Sequence, residues 1–281
     1  MEKQPKILYH YTSFDAFRKI MQSQTLRATH YSELNDWKEV TMGAEIIERS
    51  LKAHVPSIEP ETKEVLADYV DAFRGGELDI FLFSLSKEKD SLSQWIAYCR
   101  EGGVAIGFAM EGLPVHFQEA SQREMANERK SPTLWRGTDC RYLRPGKLID
   151  VGEIVSIADQ ISNIKKMTEE SKRKWMDPVS RAYLYHKFQR TCCSIKHDAY
   201  ASENEWRVFY TWEGSNPPEI KFDDRNRRFV ELQFKASDVI REVWISPHGD
   251  QRQGMTLARY FKDSMNLSYK IKKSKIPFRI L

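Results

Sequence analysis

Cysteine is scarce in this sequence, and the four that occur are spaced for neither a disulfide ladder nor a zinc site: Cys99 and Cys140 stand alone, and Cys192 and Cys193 are adjacent. They read as reduced thiols. No stretch approaches the roughly 18 apolar residues that a helix needs to cross a membrane. Met1-Glu-Lys-Gln-Pro has no apolar core behind its charges, so a secretory leader is not expected and a cytoplasmic address is. An excess of one charge is also missing: 44 Lys and Arg against 40 Asp and Glu leave +4, far from the concentrated basicity of a protein that lives on nucleic acid. Two local basic runs, Arg225 with Arg227 and Arg228, and Lys270 with Lys272, Lys273 and Lys275, read as solvated faces that could touch phosphate. Neither a metal-ligand cluster nor a phosphate-cradling glycine loop is recognisable.

What is present is the composition of a folded protein. Charged residues make up 30% and apolar ones 41%, too apolar for disorder. Ile7 to Thr12 reads as a strand, and Ser13 caps a helix with the apolar face Phe14, Phe17, Ile20 and Met21. A short strand over 25–28 and helices near 37–52 and 61–74 follow, the second stopped at Gly75-Gly76. The run from Leu78 to Ser86 is continuously apolar around Ile80–Phe83, which predicts a strand buried on both faces. A helix through Leu92, Trp95, Ile96 and Cys99 and a strand over 104–108 complete a strand–helix–strand unit. The polar stretch 118–138 is expected to be an exposed loop or insertion, its part 118–131 exposed or poorly ordered. Helices are expected over 152–175 and 178–195, strands over 206–210, 229–234 and 239–245, a last helix near 251–264 and a strand over 267–271. Helices grouped between clusters of strands argue for an α+β fold, and no linker divides the chain. We therefore read 1–281 as one domain with helical insertions at about 37–74 and 152–195.

Three places could carry chemistry. In Tyr9-His10-Tyr11-Thr12, alternation puts His10 and Thr12 on one face and Tyr9 and Tyr11 on the other. His10 could donate to a sugar hydroxyl, or be a satisfied imidazole at a strand end. In Phe83-Ser84-Leu85-Ser86 and the following Trp95 and Tyr98, a buried strand delivers two hydroxyls beside large aromatics, a combination suited to a flat polar ring such as nicotinamide. Trp95 is better placed for core packing and Tyr98 for a cleft wall. In Glu203-Asn204-Glu205-Trp206-Arg207, two carboxylates two apart share one side if the strand begins there, and like charges so placed raise each other's proton affinity unless a cation intervenes. Catalysis and a strand edge salt-bridged by Arg207 both explain the pair.

At these places the sequence resembles a bacterial family of unknown function, DUF2971, associated with defence and abortive-infection loci. The matching elements are Tyr9-His10-Tyr11-Thr12, Leu34-Asn35-Asp36, Phe83-Ser84, Trp95, Tyr98, Gly103, Gly107-Phe108, Lys196 and Glu203-Asn204-Glu205-Trp206-Arg207. Their order is also similar to that of the ADP-ribosyltransferase superfamily, whose split, mixed β-sheet surrounds the nicotinamide end of NAD. Carried over, that resemblance makes His10 the sugar-binding residue, Ser84 the middle-strand hydroxyl, Glu205 the catalytic acid and Glu203 the accessory acid that deprotonates an acceptor. Tyr11, Thr12, Ser86, Trp95, Tyr98 and Arg207 would line the cofactor site. It implies NAD as substrate, a macromolecular acceptor (protein, RNA or DNA), a toxin or phage-defence effector with a neutralising partner protein, no membrane partner and no metal. The competing expectations are a module that senses a nucleotide or nucleic acid without cleaving it, and a nuclease built on His10, His197 and the acids.

The transferase reading requires His10, Ser84 and Glu205 to converge on one concave pocket lined by Tyr98. With Glu205 on the far side of the sheet from His10, the transferase reading built on these three residues would be lost and the resemblance would speak for fold alone. It also expects Glu205→Gln to keep the fold while losing on the order of 100-fold in nicotinamide release.

Overall fold

A computed structural model of the chain describes residues 7–34, 38–54, 58–74, 79–116, 134–211 and 218–278. The expected polar loop 118–131, the helix stop at Gly75-Gly76 and Asn35-Asp36 lie outside them. The chain opens as its alternation dictates, with β1 (Ile7–Ser13), then α1 (Phe14–Ser23), whose first turn is capped by the Ser13 hydroxyl accepting from Ala16 N at 3.2 Å. β2 (Thr25–His30), α2 (Lys38–His54), α3 (Pro60–Arg74), β3 (Phe81–Ser86), α4 (Leu92–Tyr98) and β4 (Gly103–Ala109) follow. Beyond the short β5 (Val115–His116) come β6 (Leu134–Asp139), β7 (Arg141–Leu143), α5 (Gly152–Lys165), α6 (Glu170–Ser194), β8 (Ile195–His197) and β9 (Glu205–Thr211). The chain closes with β10 (Lys221–Phe222), β11 (Arg228–Gln233), α7 (Ala236–Val239), β12 (Ile240–Ile245), α8 (Gln251–Ser264) and β13 (Lys270–Lys273). Among the described residues no helix is long and apolar enough to cross a membrane.

The result is an α+β protein on a mixed, mostly antiparallel sheet. β9 pairs with β3 along its full length, Phe81 to Ser86, so it occupies one edge of β3. β2 and β1 must share the other edge, β2 at Phe81 and Leu82 and β1 at Ser86 alone. Between them, Phe83 to Leu85 carry no ladder on that edge. The sheet is therefore split beside Ser84, with β1–β4–β12–β13 leaving one side of the opening and β2–β11–β10 the other.

β3 is buried on both faces, as its apolar run predicts. Phe81, Phe83 and Leu85 enter a core shared with α1 and α8, through Phe17, Met21, Ala258 and Phe261. Leu82, with Phe209 of β9, enters a second core under a layer made of α2, α3, α5 and α6. These four helices thus pack on one another and on the same sheet face. Further along that face, beyond Ser84, a third cluster of Tyr9, Tyr11, Trp95, Cys99, Ala105 and Trp244 lies beneath α4.

α2 and α6 approach closely at Gly43, where an added Cβ would stand 2.6 Å from the Cys192 Cα and 2.8 Å from its carbonyl oxygen. Alanine at a helix interior ordinarily gains about 1 kcal/mol over glycine, but here the obstacle is backbone. Gly43→Ala is therefore expected to destabilise by about 1–3 kcal/mol, read as a lower urea midpoint; a raised midpoint would refute this helix contact.

The helix expected over 152–175 ends instead at Lys165, and α6 starts at Glu170, running through Pro178. The closing strand is displaced from 267–271 to Lys270–Lys273, where the lysine run pairs in parallel with β12 rather than forming only a solvated face. Tyr269, just before it, is buried with its hydroxyl donated to the Ala258 carbonyl at 2.6 Å. The exposed loop expected as far as 138 gives way at Leu134 to β6, which buries Trp135, Arg136 and Thr138 beside β9, and β7 and β8 had no expected counterpart.

Candidate active site

Where β3 and β9 emerge from beneath the helices, apolar side chains give way to polar ones. Ser84 is the cross-strand partner of Arg207 and Ser86 of Glu205, so all four side chains leave the face that carries Leu82 and Phe209. The Ser84 hydroxyl donates to Glu205 Oε1 at 2.5 Å, and Arg207 Nε donates to the same oxygen at 2.7 Å. Lys196 of β8 reaches in to donate its Nζ to Glu205 Oε2 at 2.6 Å and to Glu203 Oε2 at 2.5 Å. Beside Lys196 in the β7–β8 pair stands Tyr142, whose hydroxyl oxygen accepts from Glu205 N at 2.7 Å.

Glu203 and Glu205 meet on Lys196 for a different reason from strand alternation. Glu203 ends the 3-10 turn Asp198–Glu203, and Asn204 then takes a left-handed conformation, φ 45°, which Asn tolerates better than most residues. That kink turns Glu203 back toward the ammonium. Asn204 Nδ2 also donates to Glu88 Oε1 at 2.8 Å, and its carbonyl accepts from Lys87 N at 2.9 Å, tying the turn to the loop after β3.

The two acids are pushed apart. Burial alone would raise the Glu205 carboxyl, but the Arg207 guanidinium and the Lys196 ammonium override it and hold Glu205 at about 2. For Glu203 burial prevails over Lys196, with the neighbouring Glu205 carboxylate adding to the rise, so Glu203 sits above the ordinary carboxylate range. Divergent proton affinities in adjacent acids suit a division of labour, one staying ionised and one exchanging protons. They also fix a pH dependence. Glu205 is depressed on folding, so its contribution, on the order of 3 kcal/mol, is complete above 4.5 and lost as pH falls from there towards 2. Urea midpoints measured between pH 5 and 2.5 should fall steeply, and less steeply in a variant lacking the Glu205 carboxylate.

His10 is placed differently from expectation. Leu8, His10 and Thr12 face the core of α1 and α8, whereas Tyr9, the partner of Ser86, shares the face of Glu205. The imidazole and the Glu205 carboxylate therefore leave opposite faces, and the three side chains do not line one pocket. They are nonetheless joined, because the ladder is open there: His10 Nδ1 lies 3.3 Å from the Ser84 carbonyl oxygen. A carbonyl only accepts, so Nδ1 carries the proton. Burial lowers the proton affinity of this ring and keeps it neutral.

Several other residues expected to contact a cofactor are occupied within the protein. Trp95 is fully buried, edge-on to Tyr11, with its indole N–H on Asp90 Oδ1 at 2.8 Å. The Tyr11 hydroxyl donates to the Glu88 carbonyl at 2.7 Å and accepts from Ser91 N. Ser86 donates to the Glu203 carbonyl at 2.8 Å, Thr12 is buried, and Arg207, 1% exposed, also binds the Cys193 and Ile195 carbonyls. Nor is Arg207 on a sheet edge, since β9 lies between β3 and β6. Tyr98 is 42% exposed on α4, which lies against the turn ending in Glu203. Two members were not foreseen as site residues: Lys196, noted only within the family motif, and Tyr142, whose strand has no sequence periodicity to reveal it. Among the described residues no group of three or more His, Cys, Asp or Glu is placed to hold a metal ion.

No solved structure matches this chain. Human androglobin is 26% identical to it over 141 residues, which is 50% of this chain but only 7% of androglobin. Residues 94–208 match the family model described as a protein of unknown function, DUF2971. That span runs from α4 to β9 and carries Tyr98, Tyr142, Lys196, Glu203, Glu205 and Arg207, and over it this chain is similar to the DUF2971 family.

Proposed function

We propose that this chain is an ADP-ribosyltransferase-like enzyme that breaks the nicotinamide–ribose bond of NAD and passes ADP-ribose to a macromolecular acceptor. One observation carries the reading. Ser84 and Glu205, 121 positions apart, are hydrogen-bonded beside the opening of a split sheet, as the resemblance requires of its middle-strand hydroxyl and late acid. The three-residue form of the reading is lost, because His10 leaves the opposite face; the proposal rests on the Ser84–Glu205 pair alone, with His10 bracing Ser84 through its carbonyl rather than touching the sugar.

In the reaction, nicotinamide departs with the electron pair of its bond to C1′ of the ribose, and positive charge develops on the sugar. Glu205, kept ionised by its cations and fixed by Ser84, faces that charge. The acceptor's nucleophilic atom bonds to C1′ and gives its proton to Glu203, the acid with the higher proton affinity and the more exposed side chain, 15% against 3% for Glu205. The exposed ring of Tyr98 offers a stacking wall for nicotinamide.

A second reading, a nucleotide-binding module without chemistry, is favoured by the same closure of Glu205. A carboxylate held between an ammonium and a guanidinium projects little net negative potential. Incubation of the protein with cell extract and NAD labelled in its adenine part separates the two. Label on protein, RNA or DNA supports transfer, and bound but intact NAD supports the module.

A further inference from the structure

α4 has seven residues, exposes Leu92, Ile96 and Tyr98, and carries the wall on which the proposed chemistry leans. So short a helix does not hold its own position in water. Besides the burial of Trp95 and Cys99 beneath it, contacts to the loop before it and to its own C-terminal end hold it in place. Asp90, in that loop, gathers three donors: the Trp95 indole at 2.8 Å, the Ser274 hydroxyl at 2.6 Å and Lys275 N at 3.0 Å. Two of the three come from the segment following β13. That segment is itself anchored, with Ser274 N donating to the Ile245 carbonyl at 2.9 Å. It continues over the cluster of Tyr9, Tyr11, Trp95 and Trp244, which Ile276 covers, and Phe278 meets the His248 ring edge-on at 5.6 Å. His248 Nε2 in turn donates to the carbonyl of Cys99, the residue that ends α4.

Residues 274–278 thus grip α4 at both ends, through Asp90 at its start and His248 at its finish. On its other side the helix meets the turn that bears Glu203, which Asn204 fastens to the same loop. We infer that residues 274–278 form a strap, and Asp90 its anchoring residue, that positions the α4 wall against Glu203 for substrate binding. This rests on the transferase reading for the identity of the substrate, but not for the mechanical link between strap and helix.

Two variants and a rescue test it: deletion of residues 274–281, Ser274→Ala, and Ser274→Thr, which keeps the hydroxyl. Losing one hydrogen bond to Asp90 should speed amide hydrogen exchange in α4 about five- to tenfold, and deletion should speed it more, with β9 amides unchanged. Ser274→Thr should restore the wild-type rate. In the same proteins KM for NAD should rise by a similar factor with kcat unchanged. Exchange in α4 as slow as wild type in both Ser274→Ala and the deletion overturns the inference, as does loosening of α4 with KM unmoved in an active enzyme. Should α4 loosen as expected while the wild-type protein never cleaves NAD, the strap stands and the transferase reading falls.

Discussion

Glu205→Gln should lower the stability of the fold by about 3–5 kcal/mol, measured by urea denaturation near pH 7. The carboxylate is 2% exposed and receives the Ser84 hydroxyl, the Arg207 guanidinium and the Lys196 ammonium. An amide supplies no charge and replaces one acceptor oxygen with a donor. Arg207 keeps its bonds to the Cys193 and Ile195 carbonyls, but its buried guanidinium loses the charge of the Glu205 carboxylate. Breaking a buried pair by removing one partner is more damaging than removing both, so Glu205→Gln combined with Arg207→Gln should recover part of the loss. A single variant as stable as wild type would mean that the network is looser than described. The structure thereby corrects the expectation that this substitution spares the fold. Since whole domains are stable by only about 5–15 kcal/mol, loss of activity in Glu205→Gln would not by itself identify a catalytic acid.

Glu203→Gln is the sharper probe of chemistry. Lys196 keeps Glu205 as a partner in this variant, and the Glu203 side chain is partly exposed, so the denaturation midpoint should stay near wild type. Transfer of ADP-ribose to the acceptor should fall on the order of 100-fold or more, the usual effect of removing a general base, while slow hydrolysis of NAD persists. Because the proton affinity of Glu203 is raised, the acid limb of the wild-type transfer rate should lie above the ordinary 4.5 of a glutamate and vanish in the variant. Equal transfer by variant and wild type would strip Glu203 of its role.

How much was legible in the sequence depended on the kind of signal. β3 announced itself by a continuous apolar run and α1 by its cap and stripe, because burial and capping leave local patterns. Ser84 and Glu205 stood out as polar groups delivered by strands, whereas Glu203, two residues earlier, is delivered by the 3-10 turn before β9. The facing of His10 was also legible, since alternation alone separates it from Tyr9, yet its relation to Glu205 required the register of β1 on β3. Nothing local marks Lys196 or Tyr142, which belong to a two-stranded patch too short for periodicity. The kink at Asn204, which brings both acids to one lysine, and the strap on Asp90 are tertiary facts of the same kind. Trp95 packs in the core as its helical spacing suggested, and Tyr11 joins it there instead of lining a cofactor site, because large aromatics at helical and strand spacing are recruited to the core first.

The central claim is that this site breaks the nicotinamide–ribose bond, and the most direct measurement is free nicotinamide released from NAD by the purified wild-type protein, followed by chromatography with and without cell extract. The account predicts release above the protein-free control, faster when extract supplies an acceptor, with ADP-ribose appearing on a macromolecule. NAD recovered intact from a folded, NAD-binding wild-type protein in the presence of extract would contradict it.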